Sequence, residues 1–109
     1  MTAGSIKNAY LSKSGLARLI DHTLLKPEAT PDDIVELCGQ AKEYGFASVC
    51  VHSCYVATAF KALAGSPVAV CAVVGFPLGA NDPSVKALEA TLSVRAGASE
   101  VDVVMNAGL

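Results

Sequence analysis

The sequence predicts an α/β fold with a parallel sheet, and three features carry this prediction. Short apolar segments suited to strands alternate with helical patterns three times, and a fourth strand follows. The segment VAVCAVV is almost wholly apolar, which is typical of a parallel strand covered on both faces. Each helix with its loops is long enough for a right-handed crossover between parallel strands. Such units build an open doubly wound sheet or a closed eight-stranded barrel, and four strands cannot close a barrel.

The first elements are an entry helix over residues 11–17 and a strand over residues 19–24, which Asp21 and His22 interrupt. A long helix then begins at Thr30, whose hydroxyl suits an N-cap. Further residues support this helix by their place in its first turn, their helical spacing or their role at its end: Pro31, Asp32, Asp33, Ile34, Leu37, Cys38, Ala41 and Gly45.

The middle of the chain supplies the next strand–helix unit and a third strand. Residues 47–51 are small or β-branched and predict a strand, and residues 55–64 have helical spacing. Gly65-Ser66-Pro67 ends that helix, and the third strand covers residues 68–74. The following residues 75–79, Gly-Phe-Pro-Leu-Gly, predict a loop.

The last unit is a helix followed by the fourth strand. Asn81 or Asp82 caps the helix, Pro83 takes its first position and Gly97 closes it. The strand covers residues 100–105. The helical spacing within this unit comes from Val85, Leu88, Leu92 and Val94 or Arg95.

The composition indicates one domain spanning residues 1–109, with residues 1–15 as an N-terminal extension or short helix. The chain is 52% hydrophobic and 17% charged, which excludes disorder. So much apolar content in a short chain suggests a missing partner or a missing remainder. The net charge of −2 provides no basic patch, so nucleic acid is not an expected partner.

The sequence predicts a cytoplasmic protein. No apolar run approaches the ~20 residues of a membrane span, and the start MTAGSIKNAY has no hydrophobic core of a secretory signal. The cysteines lack the spacing of a disulfide framework and are interpreted as buried reduced thiols. They are Cys38, Cys50, Cys54 and Cys71.

Two acids stand inside apolar strands, where a carboxylate is costly unless it is paired or solvated. Asp102 alternates with Val101 and Val103, and Asp21 occupies a similar place in the first strand. If the strands are parallel, both acids can meet in one interior near an active-site face. The competing interpretation is that each is a strand-end acid bonded to backbone amides or a lysine.

Other polar residues have simpler explanations. His22 and His52 are interpreted as satisfied core histidines, and Lys26 as a solvated loop lysine. Cys50, His52 and Cys54 share parity, yet they lack the four ligands of a structural zinc site, so no metal is expected. The segment GFPLGAND is glycine-rich before a helix, but it lacks the Lys-Ser/Thr of a P-loop.

Four blocks of the sequence resemble successive blocks of the 2-deoxyribose-5-phosphate aldolase family. They are IDHTLLKPEAT, GFASVCVHSCYV, VCAVVGFPLGA and GASEVDVVMNAG, in family order and spacing. The resemblance runs from Leu16 to the last residue. One departure is His52-Ser53, where the family usually has Asn-Pro before Cys-Tyr.

The resemblance implies a (βα)8 TIM barrel, of which this chain supplies about the first four strands and three helices. It also implies a class I aldolase that needs no metal or other cofactor. Such enzymes reversibly cleave a small phosphorylated sugar, 2-deoxyribose 5-phosphate, to acetaldehyde and glyceraldehyde 3-phosphate. A lysine forms a Schiff base with the substrate, and a second lysine keeps its amine nucleophilic.

The resemblance also assigns roles to four residues of this chain. Asp102 stands where the family has its proton-relay acid, ion-paired to the lysines. Asp21 and Thr23 match a polar pair that supports the site or contacts substrate. Cys50 matches a cysteine that lines the pocket and is not a required nucleophile.

The resemblance also implies that the Schiff-base lysine, in a Lys-Thr-Ser-Thr-Gly-Phe type motif, lies beyond residue 109, with the second lysine and the phosphate loops. None of the six lysines here matches, and Lys26 and Lys86 fall elsewhere in the pattern. We therefore expect the chain to be inactive unless it is completed, and its partner to be either further copies of itself in a homo-oligomer or a missing C-terminal half. Two alternatives remain open: a non-catalytic half-barrel that self-associates through its edges, and a doubly wound domain that binds an anion at GFPLGAND.

Overall fold

A computed structural model describes residues 12–109 of the chain. The predicted order of three strand–helix units and a fourth strand is confirmed. Most of the predicted N-terminal extension, and the first residue of the entry helix, lie outside the described residues. The elements are α1 (Lys13–Ala17), β1 (Asp21–Thr23), α2 (Pro31–Tyr44), β2 (Ser48–Val51), a 3₁₀ turn (Ser53–Tyr55), α3 (Val56–Ala62), β3 (Ala69–Val74), α4 (Pro83–Ala96) and β4 (Glu100–Val103).

The four strands form one parallel sheet in the order β1-β2-β3-β4. Each new strand is added on the same side of the previous one. A doubly wound sheet instead reverses its strand order at a switch point, where the ligand binds. The order observed in residues 12–109 contains no reversal and is the order of a (βα)8 barrel. Strands β1 and β4 are its two edges.

The ends of α2 and α4 follow their capping residues. The Thr30 hydroxyl accepts a hydrogen bond from the Asp33 amide, and the Asp33 carboxylate accepts one from the Thr30 amide, so a capping box starts α2. Gly45 ends α2 with a left-handed φ of 71°. Asp82 rather than Asn81 caps α4, through a 2.8 Å bond from the Ser84 amide.

All four predicted strands are shorter in the structure, the second and the third by one residue each. The first covers residues 21–23 instead of 19–24, and the fourth ends at residue 103 instead of 105. In both, one further hydrogen bond extends the ladder: the amide of Leu24 donates to Cys50 O, and the amide of Val104 donates to Val74 O. The apolar runs therefore continue past the paired backbone, because hydropathy does not report where a neighbouring strand stops.

One face of the sheet packs on the helices. Val49 and Val51 of β2 and Val70 and Ala72 of β3 meet apolar residues of α2 and α3 there. The opposite face of β3, at Cys71 and Val73, is also buried, but Leu25 and neighbouring strand residues cover it rather than a helix. We call this second surface the inner face. Its members are Asp21, Thr23, Ser48, Cys50, Ala69, Cys71, Val73, Glu100 and Asp102.

Helix α4 packs through an unexpected side. Its predicted apolar residues Val85, Leu88 and Leu92 are 51%, 58% and 52% exposed, whereas Ser93 is buried and Glu89 is half-buried. The predicted helix is confirmed, but its apolar spacing does not mark the side that faces the sheet. Within residues 12–109, no helix has the length and apolar character needed to cross a membrane.

Candidate active site

The strand register brings the predicted site residues onto the inner face. Thr23, Cys50, Cys71 and Glu100 form one row across the four strands. Asp21 lies two residues before this row on β1, and Asp102 lies two residues after it on β4, paired with Val73. Alternate residues of a strand share a face, so both acids open onto the same side of the sheet.

Asp21 is held by a neighbouring hydroxyl. The Ser48 Oγ donates to Asp21 Oδ1 at 2.6 Å, and the Thr23 Oγ1 donates to the Asp21 carbonyl at 2.9 Å. Ser48 is completely buried, so this charge-assisted bond is largely shielded from water on the serine side. Sequence reasoning missed Ser48, although its parity with Cys50 places it on the same face.

Cys50 links the middle of the sheet to the acid of β4. Its thiol donates to Asp102 Oδ2, with Sγ 4.0 Å from the oxygen, and its strand neighbour on β3 is Cys71. Burial, followed by smaller effects that include the nearby carboxylates of Asp102 and Asp21, raises the pKa of the Cys50 thiol. Cys50 is therefore a neutral thiol near pH 7, as suits a pocket-lining residue rather than a nucleophile.

Cys71 was not selected from the sequence as a site residue. Burial raises the pKa of its thiol strongly, and Cys50, Asp102 and Glu100 add to the effect. Its position opposite Cys50 depends on the register of β2 against β3, which the sequence alone does not specify.

The lysines of the described residues lie outside this group. Lys86 reaches from α4 to the carbonyl of Val104, with Nζ to O at 2.9 Å. Lys26 lines a groove of about 460 Å³ beside α2, with acidic neighbours that include Glu28 and Glu36. These placements agree with the expectation that neither lysine is the Schiff-base residue.

Both histidines are satisfied by ordinary structural contacts. His22 Nε2 donates to the Gln40 Oε1 at 2.7 Å, and its ring lies 4.7 Å from that of Phe46. His52 Nε2 donates to the carbonyl of Leu25 at 2.8 Å. The interpretation of both as structural residues is consistent with these contacts.

Two backbone amides of the segment GFPLGAND already donate hydrogen bonds to other groups of this chain. The Gly75 amide donates to the Glu89 carboxylate at 2.8 Å, and the Gly79 amide donates to the Gly75 carbonyl at 2.7 Å. A Cβ at Gly79 would overlap the Met105 carbonyl, so only glycine allows this close approach. The loop supports the chain after β4, and two amides needed for an anion cradle are already occupied.

No family model matches the chain. It is 57% identical over 98 residues to the deoxyribose-phosphate aldolase of Clostridium kluyveri, covering 90% of this chain and 45% of that protein. It is 55% identical over 96 residues to that of a Geobacillus species, covering 88% of this chain and 43% of that protein.

A solved structure gives the same result. The deoxyribose phosphate aldolase of Aeropyrum pernix, described as a tetramer, superposes with a TM-score of 0.85 at 36% identity, over 99% of this chain and 48% of that one. The chain thus spans a little under half the length of the relatives that it matches. Over a little under half of their length, deoxyribose-phosphate aldolases are thus what this chain resembles in sequence, and its parallel βα units match the corresponding part of their (βα)8 barrel.

Proposed function

We propose that this sequence serves a class I deoxyribose-phosphate aldolase, which reversibly cleaves 2-deoxyribose 5-phosphate to acetaldehyde and glyceraldehyde 3-phosphate. The observation that carries this proposal is the 57% identity to a relative of that name over 90% of the chain. The inner face supports it, because its three carboxylates and two thiols form a polar surface where a barrel interior opens. The reaction belongs to the breakdown of deoxyribonucleotides in the cytoplasm, and the free cysteines fit a reducing compartment.

In this proposal, Asp102 relays a proton through water. Carbon–carbon cleavage of the Schiff-base adduct releases glyceraldehyde 3-phosphate and leaves an enamine. The enamine carbon must gain a proton before hydrolysis of the resulting Schiff base releases acetaldehyde. The Asp102 carboxylate suits this step because it is exposed on the inner face, where water and substrate reach it. The neighbouring thiol of Cys50, with Sγ 4.0 Å from Asp102 Oδ2, is neutral, so it does not cancel the negative charge of the Asp102 carboxylate.

The other inner-face residues position the site. Asp21 accepts a hydrogen bond from the Ser48 hydroxyl, which orients its carboxylate on the inner face. Thr23 bonds to its own strand and presents a polar side chain beside Cys50. We assign these residues to substrate contact or support, and Cys50 to the lining of the pocket.

The nucleophile must come from outside this sequence. We propose that a C-terminal half supplies the Schiff-base lysine, the second lysine and the phosphate loops. Within residues 12–109, the outer edges of β1 and β4 are unpaired and one apolar side of α4 is exposed. These are the surfaces such a half would cover. The completed enzyme is expected to form homo-oligomers, as the tetramer described for the Aeropyrum pernix relative suggests.

Reductive trapping tests this proposal. The 109-residue chain is mixed with deoxyribose 5-phosphate and borohydride, alone or with a second chain carrying the C-terminal portion of the Clostridium kluyveri relative, and intact masses are read. We expect an adduct only in the mixture, on the added chain. An adduct on Lys26 of the chain alone would contradict the assignment of the nucleophile.

A second candidate function is a non-catalytic half-barrel that associates with itself. The parallel order of the strands favours it, since two copies related by a twofold axis can pair β1 of each with β4 of the other into an eight-stranded barrel. It predicts a stable homodimer in sedimentation and no adduct even when the C-terminal portion is present. Trapping in the mixture therefore separates the two functions.

A further inference from the structure

Three potential metal ligands converge on the inner face from three neighbouring strands. The thiols of Cys50 and Cys71 lie side by side on β2 and β3, and the carboxylate of Asp102 reaches toward them from β4. All three ligand atoms lie within 4.8 Å of one another, and Cys50 Sγ is 4.0 Å from Asp102 Oδ2. Among residues 12–109 this is the group with the spacing of a metal site, rather than Cys50, His52 and Cys54.

The spacing is close to that of a tetrahedral site. Zinc–sulfur bonds of about 2.3 Å and zinc–oxygen bonds of about 2.1 Å place two sulfurs ~3.8 Å apart and a sulfur and an oxygen ~3.6 Å apart. Side-chain rotations that move the ligand atoms by less than about 1 Å convert the observed arrangement into that geometry. The strands hold the three Cα atoms in fixed register, so the backbone need not move.

The donor set selects a particular class of ion. Two sulfurs favour Zn²⁺, Cd²⁺ and similar thiophilic cations over Mg²⁺ or Ca²⁺, which prefer oxygen. Asp21 and Glu100 lie on the same face and add negative potential that attracts a cation. Asp102 is exposed, so a fourth position remains open to water.

We propose that Cys50, Cys71 and Asp102 bind one thiophilic divalent cation of the Zn²⁺ or Cd²⁺ class. Binding forms two metal–sulfur bonds and one metal–oxygen bond, and the two thiol protons leave to solvent. The bound ion takes the Asp102 carboxylate away from proton relay and therefore inhibits the aldolase. This inhibitory consequence rests on the proposed function, whereas the binding itself does not.

Cadmium titration of the 109-residue chain tests the binding. The chain is first reduced, the reductant is removed under anaerobic conditions, and the sulfur–cadmium charge-transfer absorption is followed in the ultraviolet. We expect the absorption to saturate at one equivalent of cadmium. Cys71→Ser should lose this absorption, and Asp102→Asn should bind cadmium about tenfold or more weakly. Cys54→Ser is the matched control, because Cys54 is exposed in the 3₁₀ turn and lies outside the group.

Two outcomes would overturn the site. One is unchanged saturation in Cys71→Ser, and the other is loss of the signal in Cys54→Ser, which would assign the binding to the exposed thiol. Asp102→Asn changes an exposed side chain, so a loss of affinity in this variant does not come from misfolding, and circular dichroism verifies its fold. Binding without inhibition of the completed enzyme would support the site and contradict the relay role of Asp102.

Discussion

At the scale of single residues, the inner face depends on pairs that cross between strands. Ser48 and Asp21 are 27 positions apart in sequence and meet at 2.6 Å. Ser48→Ala removes the donor, but water can replace it at the exposed carboxylate, so we expect a loss of about 1 kcal/mol in the free energy of unfolding. Urea midpoints measure it, with Ser99→Ala on the surface as control. A change below a few tenths of a kcal/mol would show that the bond contributes nothing to stability.

A second residue-scale prediction concerns the buried thiol of Cys38. Burial raises the pKa of this thiol above its ordinary value, and the nearby Lys42 opposes this effect. The unfolded chain then releases the thiol proton at lower pH than the folded chain, so stability is present below about pH 9 and falls as pH rises further. Between about pH 8 and about pH 10, the midpoint of urea unfolding should fall less in Cys38→Ala than in the parent. An equal fall would contradict it, and the exposed Cys54→Ala should keep the parental slope.

Parity within each strand was enough to predict that Asp21 and Asp102 share a face. Ser48 and Cys71 were missed for a physical reason. Their significance comes from the register of one strand against the next, and register is decided by packing and hydrogen bonding across strands rather than by the local sequence.

At the scale of elements, α4 shows most clearly where sequence reasoning succeeds and fails. Asp82, Pro83 and Gly97 predicted its ends, because caps act through local backbone geometry. The side of α4 that faces the sheet was not predicted, because polar residues occupy it. There the Glu89 carboxylate accepts a hydrogen bond from the Gly75 amide, and the Lys86 ammonium donates one to the Val104 carbonyl. The apolar stripe of Val85, Leu88 and Leu92 faces outward, although such a stripe commonly faces the core.

This outward stripe gives a prediction for Leu88, which is 58% exposed. Leu88→Ser should change the free energy of unfolding of the chain by less than about 0.5 kcal/mol, because little apolar area is lost from its core. The same change should weaken association with the C-terminal portion by about tenfold, as expected for a buried apolar anchor. Dissociation constants from sedimentation or calorimetry measure it. Val35→Ser, exposed on α2 outside the stripe, serves as control.

At the scale of the whole molecule, the alternation of strands and helices predicted the parallel α/β class. The choice between a barrel and a doubly wound sheet required the spatial order of the strands, which the structure supplies as β1-β2-β3-β4. Similarity to family members over their N-terminal portion agrees with that order. The chain spans a little under half the length of the relatives that it matches, and the proposed chemistry depends on the remaining part of such a protein.

In the proposed function, this chain contributes the relay acid of an aldolase. The most direct measurement is kcat for cleavage of deoxyribose 5-phosphate by the chain joined with the C-terminal portion of the Clostridium kluyveri relative. We predict cleavage by the parent assembly and a fall of about 10²- to 10⁴-fold in Asp102→Asn, with exposed Glu36→Gln unchanged. Full activity in Asp102→Asn, or a stable assembly of the parent chain without cleavage, would contradict the account.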